Sequence, residues 1–178
     1  MIGDHTAPLT AIVYTSFSCG YCRDFWMDVF PKIYNKYVKT GKAKIIVRNY
    51  LEDTATLEAA MLTRCAAGAN SRANLKIMKN IYQQQEQWLK SKNPQQFLKS
   101  LFRNNFRYGS ESWADSCLAD VKLSAGMMLF QKEAFSKFGL KSVPSFVIIK
   151  DGKMIVTHEG RISFDTFDLY LSANAKTN

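Results

Sequence analysis

The chain is poor in metal-binding residues. It has two histidines, His5 and His158, and four cysteines, Cys19, Cys22, Cys65 and Cys117. A zinc site built on Cys19-x-x-Cys22 needs two more ligands close by, and no second CxxC or CxH is present. No apolar run approaches the roughly 18 residues that a membrane span needs. The opening residues Met1-Ile2-Gly3-Asp4-His5 are neither basic nor followed by a long apolar core, so they do not form a secretory leader. A chain that starts this way is expected to be cytosolic or to begin after a leader has been removed. Acidic residues are in deficit: 15 against 24 basic, a net charge of +9. The lysines are scattered and no recognition motif frames them, so nucleic acid is not an expected partner. A basic surface of this kind suits acidic or unfolded polypeptides.

What is present suits an ordinary globular protein. The 178 residues, 47% of them hydrophobic, suffice for one good-sized domain or a small domain with an elaboration. Leu9-Thr10-Ala11-Ile12-Val13-Tyr14 reads as a strand. A helix is predicted from Tyr21 to about Tyr37, because Trp26, Val29, Phe30, Ile33 and Tyr37 recur at three- and four-residue steps. Pro31 lies inside it and has no N–H for the carbonyl of Met27, which predicts a kink. After Thr40-Gly41 a second strand, Lys44–Arg48, completes a βαβ unit, which favours parallel pairing. From Asp53 to about Phe138 the pattern is helical, with four or five helices expected. Leu57, Met61 and Cys65 share one face, as do Trp113, Cys117 and Val121. Breaks are read at Gly68-Ala69-Asn70 and Tyr108-Gly109-Ser110, and Asn93-Pro94 reads as a helix start. Phe146–Ile149 and Met154–Val156 flank Lys150-Asp151-Gly152-Lys153, a hairpin signal. A last helix follows Ser163 as N-cap, with Phe164, Phe167 and Leu171 on one side. Two parts of one sheet are thus separated by a helical insertion.

The chemistry concentrates at Cys19-Gly20-Tyr21-Cys22, where a strand hands over to a helix. Unpaired N–H groups of a first helical turn favour a thiolate over a thiol. An exposed thiolate beside a second cysteine can pass disulfides between proteins. Cys19 is expected to be the attacking sulfur and Cys22, one turn in, the resolving one, with Gly20 and Tyr21 tuning the pair. A static Cys19–Cys22 cross-link is the competing reading. Val143-Pro144, just before a strand, is a second candidate element, either trans or cis. Cys65 and Cys117 read as two buried free thiols or as one structural disulfide across 52 residues. Phe17, Phe25 and Trp26 are candidates for an apolar surface that meets unfolded substrate, although Trp26 suits the core better. His158 and Glu159 read as a surface pair.

Gly3-Asp4-His5-Thr6-Ala7-Pro8, Phe17-Ser18-Cys19-Gly20-Tyr21-Cys22 and Val143-Pro144-Ser145-Phe146-Val147 together resemble the DsbA-like thiol–disulfide oxidoreductases of the thioredoxin superfamily. The resemblance implies an α/β thioredoxin fold with an inserted α-helical domain. The thioredoxin-like part would be discontinuous, residues 1–52 and 123–178, around a helical domain at 53–122. It also implies a cis Val143–Pro144 bond facing Cys19 and helping to hold a substrate strand. A second disulfide in the helical domain, as in some relatives, would be Cys65–Cys117. No cofactor or metal is implied. The partners would be unfolded or disulfide-containing proteins and a redox protein that resets the pair. The location would be periplasmic, the chain starting after its signal peptide.

Two departures set the expected role. Many DsbA enzymes carry Pro-His between the cysteines, whereas Gly20-Tyr21 is similar to the dipeptide of DsbC-type isomerases. A buried acid six residues before the first cysteine is replaced by Val13, so a carboxylate relay to Cys22 is not expected and water would serve instead. Both departures point to an isomerase or reductase, with a dithiol oxidase as alternative. Isomerases of this type are usually oligomers, and some trimerise through an N-terminal stalk. The chain as it stands is expected to be a monomer, the full-length form oligomeric through a preceding segment. A kappa-type glutathione transferase shares the architecture but normally uses a serine and needs no Cys22. A thioredoxin-fold binding module with inert cysteines is the non-enzymatic alternative.

Overall fold

The apolar run ahead of the CxxC forms the central strand of the molecule. In the computed structural model, which describes residues 1–106 and 110–175, β1 (Leu9–Thr15) is buried along almost its whole length. It pairs in parallel with β2 (Ala43–Asn49) and antiparallel with β3 (Ser145–Lys150), which in turn pairs antiparallel with β4 (Lys153–Glu159). The strand order is β2-β1-β3-β4. Asp151 and Gly152 both have positive φ, as a two-residue turn that matches strand twist requires. The exposed face and lysine-bearing start of β4 suit an edge strand.

Between β1 and β2 runs one long helix, α1, over residues 20–38. It alternates α-helical turns, Gly20–Asp24 and Phe30–Ile33, with π-helical turns, Phe25–Val29 and Tyr34–Val38. The predicted disturbance at Pro31 takes this form. Pro31 cannot donate to Met27, and the preceding turn widens so that the Phe30 N–H bonds the Phe25 carbonyl five residues back.

Six helices follow β2 among the described residues: α2 (Thr54–Ala67), α3 (Ser71–Gln83), α4 (Gln85–Leu89), α5 (Pro94–Phe106), α6 (Glu111–Leu118) and α7 (Val121–Phe138). The sequence reading of four or five missed the short α4, whose boundary with α3 at Gln84 carries no glycine or proline. Asp53, Asn70, Asn93 and Asp120 cap α2, α3, α5 and α7 by accepting backbone N–H bonds at 2.6–3.1 Å. The cap at Asp120 also corrects one helical face. Val121 does not continue the Trp113–Cys117 stripe but starts a new helix, and it is 76% exposed. The break expected at Tyr108-Gly109 lies outside the described residues. After β4, Ser163 caps α8 (Phe164–Ala175) through the Thr166 N–H at 3.1 Å.

The two faces of the sheet are covered differently. Val13, Phe146 and His158 lie side by side across β1, β3 and β4. Against Phe146 pack Phe25 of α1 and Phe167 of α8, ring centroids 4.8 and 5.3 Å away. Tyr14 faces the other way, to Phe138 and Glu133 of α7. One side of the sheet therefore carries the Cys19 helix and α8, and the other α7.

Candidate active site

β1 ends at Thr15, and residues 16–19 turn the chain into α1. Cys19 is the N-cap, with extended backbone (φ −79°, ψ 120°), and its Sγ accepts the Cys22 N–H at 3.2 Å. Cys19 is partly exposed and Cys22 is fully buried; both thiols are free. Hydrogen bonding from the Cys22 side chain, then from its backbone N–H, holds the Cys19 thiol below its ordinary pKa. Part burial and the Glu52 charge oppose this. Cys22 is driven strongly the other way, by burial first and by the neighbouring Cys19 second. The pair is therefore asymmetric: one accessible sulfur favours the thiolate, and one buried sulfur favours the protonated thiol.

The Val143–Pro144 peptide bond is cis. It brings the Val143 carbonyl to 3.5 Å from Cys19 Sγ. The loop carrying it is braced from β4: the Glu159 carboxylate accepts the Lys141 and Ser142 N–H groups at 2.8 and 2.9 Å, and the Pro144 carbonyl accepts the Gly160 N–H at 2.8 Å. Those donors, led by Lys141 N–H, hold the Glu159 carboxyl below its usual range. Glu159 and His158 do not form the expected pair. Strand alternation sends them to opposite faces, and His158 bonds Tyr170 and the Arg161 carbonyl instead.

Gly20 adds no side chain. Tyr21 is 56% exposed, with the Arg161 guanidinium 5.9 Å from its ring centre. Arg23 turns away from the sulfurs to Asp24 and Glu86, both at 3.4 Å. A groove of about 500 Å³ runs beside Tyr21, walled by Phe25, Asp28, Arg161 and Ile162. Phe17, Phe25 and Trp26 are all buried rather than spread over a surface; Phe25 reaches that groove only at its wall. Trp26 instead donates from Nε1 to Thr15 Oγ1 at 2.9 Å.

The Cys19 loop is held from outside by residues that no sequence motif marks. Tyr82 of α3, fully buried, bonds the Ser16 carbonyl at 3.1 Å and Thr15 Oγ1 at 2.8 Å. Thr56 of α2 meets the hydroxyls of Ser16 and Ser18 at 3.2 and 2.8 Å. Gln85 of α4 donates to the carbonyls of Phe17 and Cys19 at 2.8 and 3.0 Å. The only sequence signal was their polarity inside apolar helical faces. In the insertion, Cys65 of α2 and Cys117 of α6 are joined by a disulfide. Among the described residues no group of three His, Cys, Asp or Glu side chains is placed to hold a metal ion, and no helix is long and apolar enough to cross a membrane.

A thioredoxin family model matches residues 1–172. The chain belongs to the thioredoxin family. Within it, the mixed sheet with a helical insertion is the DsbA-like arrangement. The chain is similar to α-DsbA1 of Wolbachia pipientis, at 25% identity and a TM-score of 0.84, with 98% of this chain and 89% of that chain covered. It shares its fold with a protein-disulfide isomerase from Novosphingobium aromaticivorans, at 21% identity and a TM-score of 0.78, covering 99% and 96% of the two chains. Over 98 residues it is 29% identical to a Rickettsia felis protein whose name describes a protein-disulfide oxidoreductase, which covers 55% of this chain. The match spans about a third, 34%, of that relative's own length.

Proposed function

We propose that this chain exchanges disulfides with exported proteins through Cys19 and Cys22. The observation that carries the reading is the asymmetric pair: a partly exposed Cys19 sulfur capped by the Cys22 N–H at 3.2 Å, over a buried Cys22. The Cys19 thiolate attacks one sulfur of a substrate disulfide. A Cys19–substrate bond forms and the other substrate sulfur leaves as thiolate, taking a proton from water. Cys22 then gives up its proton to water and attacks Cys19, which breaks the Cys19–substrate bond. The Cys19–Cys22 bond forms, the substrate leaves with both sulfurs reduced, and two electrons have passed from the pair to the substrate. Run backwards, the same steps oxidise a substrate dithiol. If a substrate thiol displaces Cys19 before Cys22 does, the substrate disulfide is rearranged and the pair stays reduced.

The proposed role is isomerase or reductase. Gly20-Tyr21 offers Cys19 no cation, and Arg23 is engaged elsewhere, so the thiolate draws its support from the helix start and Cys22. The cis Val143–Pro144 edge, with its carbonyl 3.5 Å from Cys19 Sγ, suits an extended substrate segment lying across the sulfur. A second disulfide, Cys65–Cys117, suits an oxidising compartment such as the periplasm. There a redox protein would reset the pair. The test is refolding of a scrambled disulfide protein by the chain and by its Cys19→Ser variant. The wild type is expected to accelerate recovery and the variant not; equal rates would remove the catalytic reading.

A further inference from the structure

Three glutamines stand in a row at Gln83, Gln84 and Gln85, and only the third is buried. The cause is the break between α3 and α4. Gln84 leaves helical geometry (φ −103°, ψ 12°), with its amide tied to Asn80 Oδ1 at 2.9 Å. α4 restarts at Gln85 and is anchored by the buried Trp88, whose Nε1 donates to the Ile81 carbonyl at 3.1 Å. The turn aims the Gln85 amide into the loop between β1 and α1.

Two carbonyls meet that amide, so its NH₂ must face them: an amide oxygen there would oppose two acceptors. One N–H goes to Phe17 O at 2.8 Å and one to Cys19 O at 3.0 Å. The Cys19 carbonyl also accepts the Arg23 N–H at 3.1 Å, the first bond of α1. Its two acceptor directions are thus both fixed, one by the helix and one by the insertion. Cys19 Sγ reaches the Cys22 N–H only while the Cys19 backbone keeps its extended cap conformation. Holding the carbonyl holds that conformation. Tyr82 and Thr56 grip Ser16 and Ser18 but not Cys19 itself.

We propose that Gln85 is a positioning residue for Cys19: through its two carbonyl bonds the helical insertion sets how well the thiolate is capped, and hence the redox poise of the pair. The inference rests on Cys19 being the attacking sulfur. Without Gln85, the loop carbonyls turn to find other donors and the Sγ-to-N–H alignment loosens. The thiolate then loses support, the reduced form loses stability relative to the disulfide, and the protein becomes less oxidising.

The test is titration of the Cys19 thiolate by its ultraviolet absorbance, together with the reduction potential, in wild type, Gln85→Leu, Gln85→Glu and Phe102→Leu. Phe102 is buried against Phe106 and Trp113, neither of them a loop residue, and reports plain destabilisation of the insertion. Loss of one aligned bond to a thiolate is expected to weaken thiolate formation about three- to tenfold in Gln85→Leu. Tenfold corresponds to about 30 mV of lower potential for a two-electron couple. Gln85→Glu, isosteric, sets a carboxyl against the two carbonyls: ionised it repels both, protonated it keeps at most one of the two donors, and in either state a shift in the same direction is expected, which decides the matter if the leucine variant does not fold. Phe102→Leu is expected to lower the melting temperature without moving either readout. Unchanged titration in the Gln85 variants, or an equal shift in Phe102→Leu, overturns the inference. A wild-type Cys19 that titrates like an ordinary thiol would instead overturn the functional reading on which it rests.

Discussion

Replacing Cys65 and Cys117 by alanine separates the two roles of sulfur in this chain. The bridge joins α2 to α6 across 52 residues. In the chain-entropy account, closing a loop of that length removes freedom from the unfolded state worth about 4 kcal/mol at 25 °C, with measured values commonly nearer 2–4 kcal/mol. Cys117 is buried, so two alanines also remove some packing in the helical insertion. For a protein of this size each kcal/mol moves the midpoint by about 2–4 °C. A fall of roughly 10 °C is therefore expected, seen in urea or thermal unfolding followed by tryptophan fluorescence. The denaturant slope should rise as the unfolded chain expands. Tyr82 and Gln85 lie within the closed loop yet grip Ser16, Phe17 and Cys19, so the folded site should keep its Cys19 titration at low temperature. A double variant within about 0.5 kcal/mol of wild type, with an unchanged slope, would refute the loop-closure argument.

Other outcomes follow from the site. In the dithiol form, Cys19 is held below and Cys22 above the ordinary thiol range. As pH rises through the folded Cys19 value the unfolded chain still binds the proton, so stability grows until about pH 8.5, where unfolded thiols ionise. Above that, folded Cys22 keeps a proton that the unfolded chain sheds, and stability falls. Urea unfolding of reduced and oxidised protein from pH 5 to 10 should show this rise and fall in the reduced form alone; parallel curves would contradict it. Tyr82→Phe should cost about 0.5–1.5 kcal/mol, because the Ser16 carbonyl and Thr15 hydroxyl each lose one of two partners and keep the Cys19 N–H at 3.4 Å and the Trp26 Nε1 at 2.9 Å. A chemical-denaturation difference below about 0.5 kcal/mol would count against a tight clamp.

Much of this architecture was legible because its signals are local. The unbroken apolar run of β1, the three- and four-residue steps of α1, the Asp151-Gly152 turn and the Ser163 cap each depend on a few neighbouring residues. Pro31 forecast a disturbance, but its form, a widened turn closed by Phe30 N–H on Phe25 O, depends on how α1 packs. What sequence could not convey is contact between distant segments. Gln83, Gln84 and Gln85 are chemically identical, and only the break at Gln84 selects the one that reaches Cys19. Thr56 and Tyr82 lie about 40 and 66 residues from the loop they hold, and nothing in their spacing names it. Val121 was misread because Asp120 can either continue a helix or cap a new one, and periodicity does not distinguish the two. Phe17 and Phe25 were assigned to a surface by nearness to the motif, whereas the end of β1 and the first turn of α1 turn both rings into the core.

The central claim is that Cys19 attacks and Cys22 resolves. Its most direct measurement is a trap: the Cys22→Ser variant, reduced, mixed with a disulfide-bearing peptide and read by intact mass and peptide mapping. The account predicts one covalent peptide on Cys19, released by reductant and absent from a Cys19→Ser/Cys22→Ser double variant. No adduct, or one carried elsewhere on the chain, would contradict it.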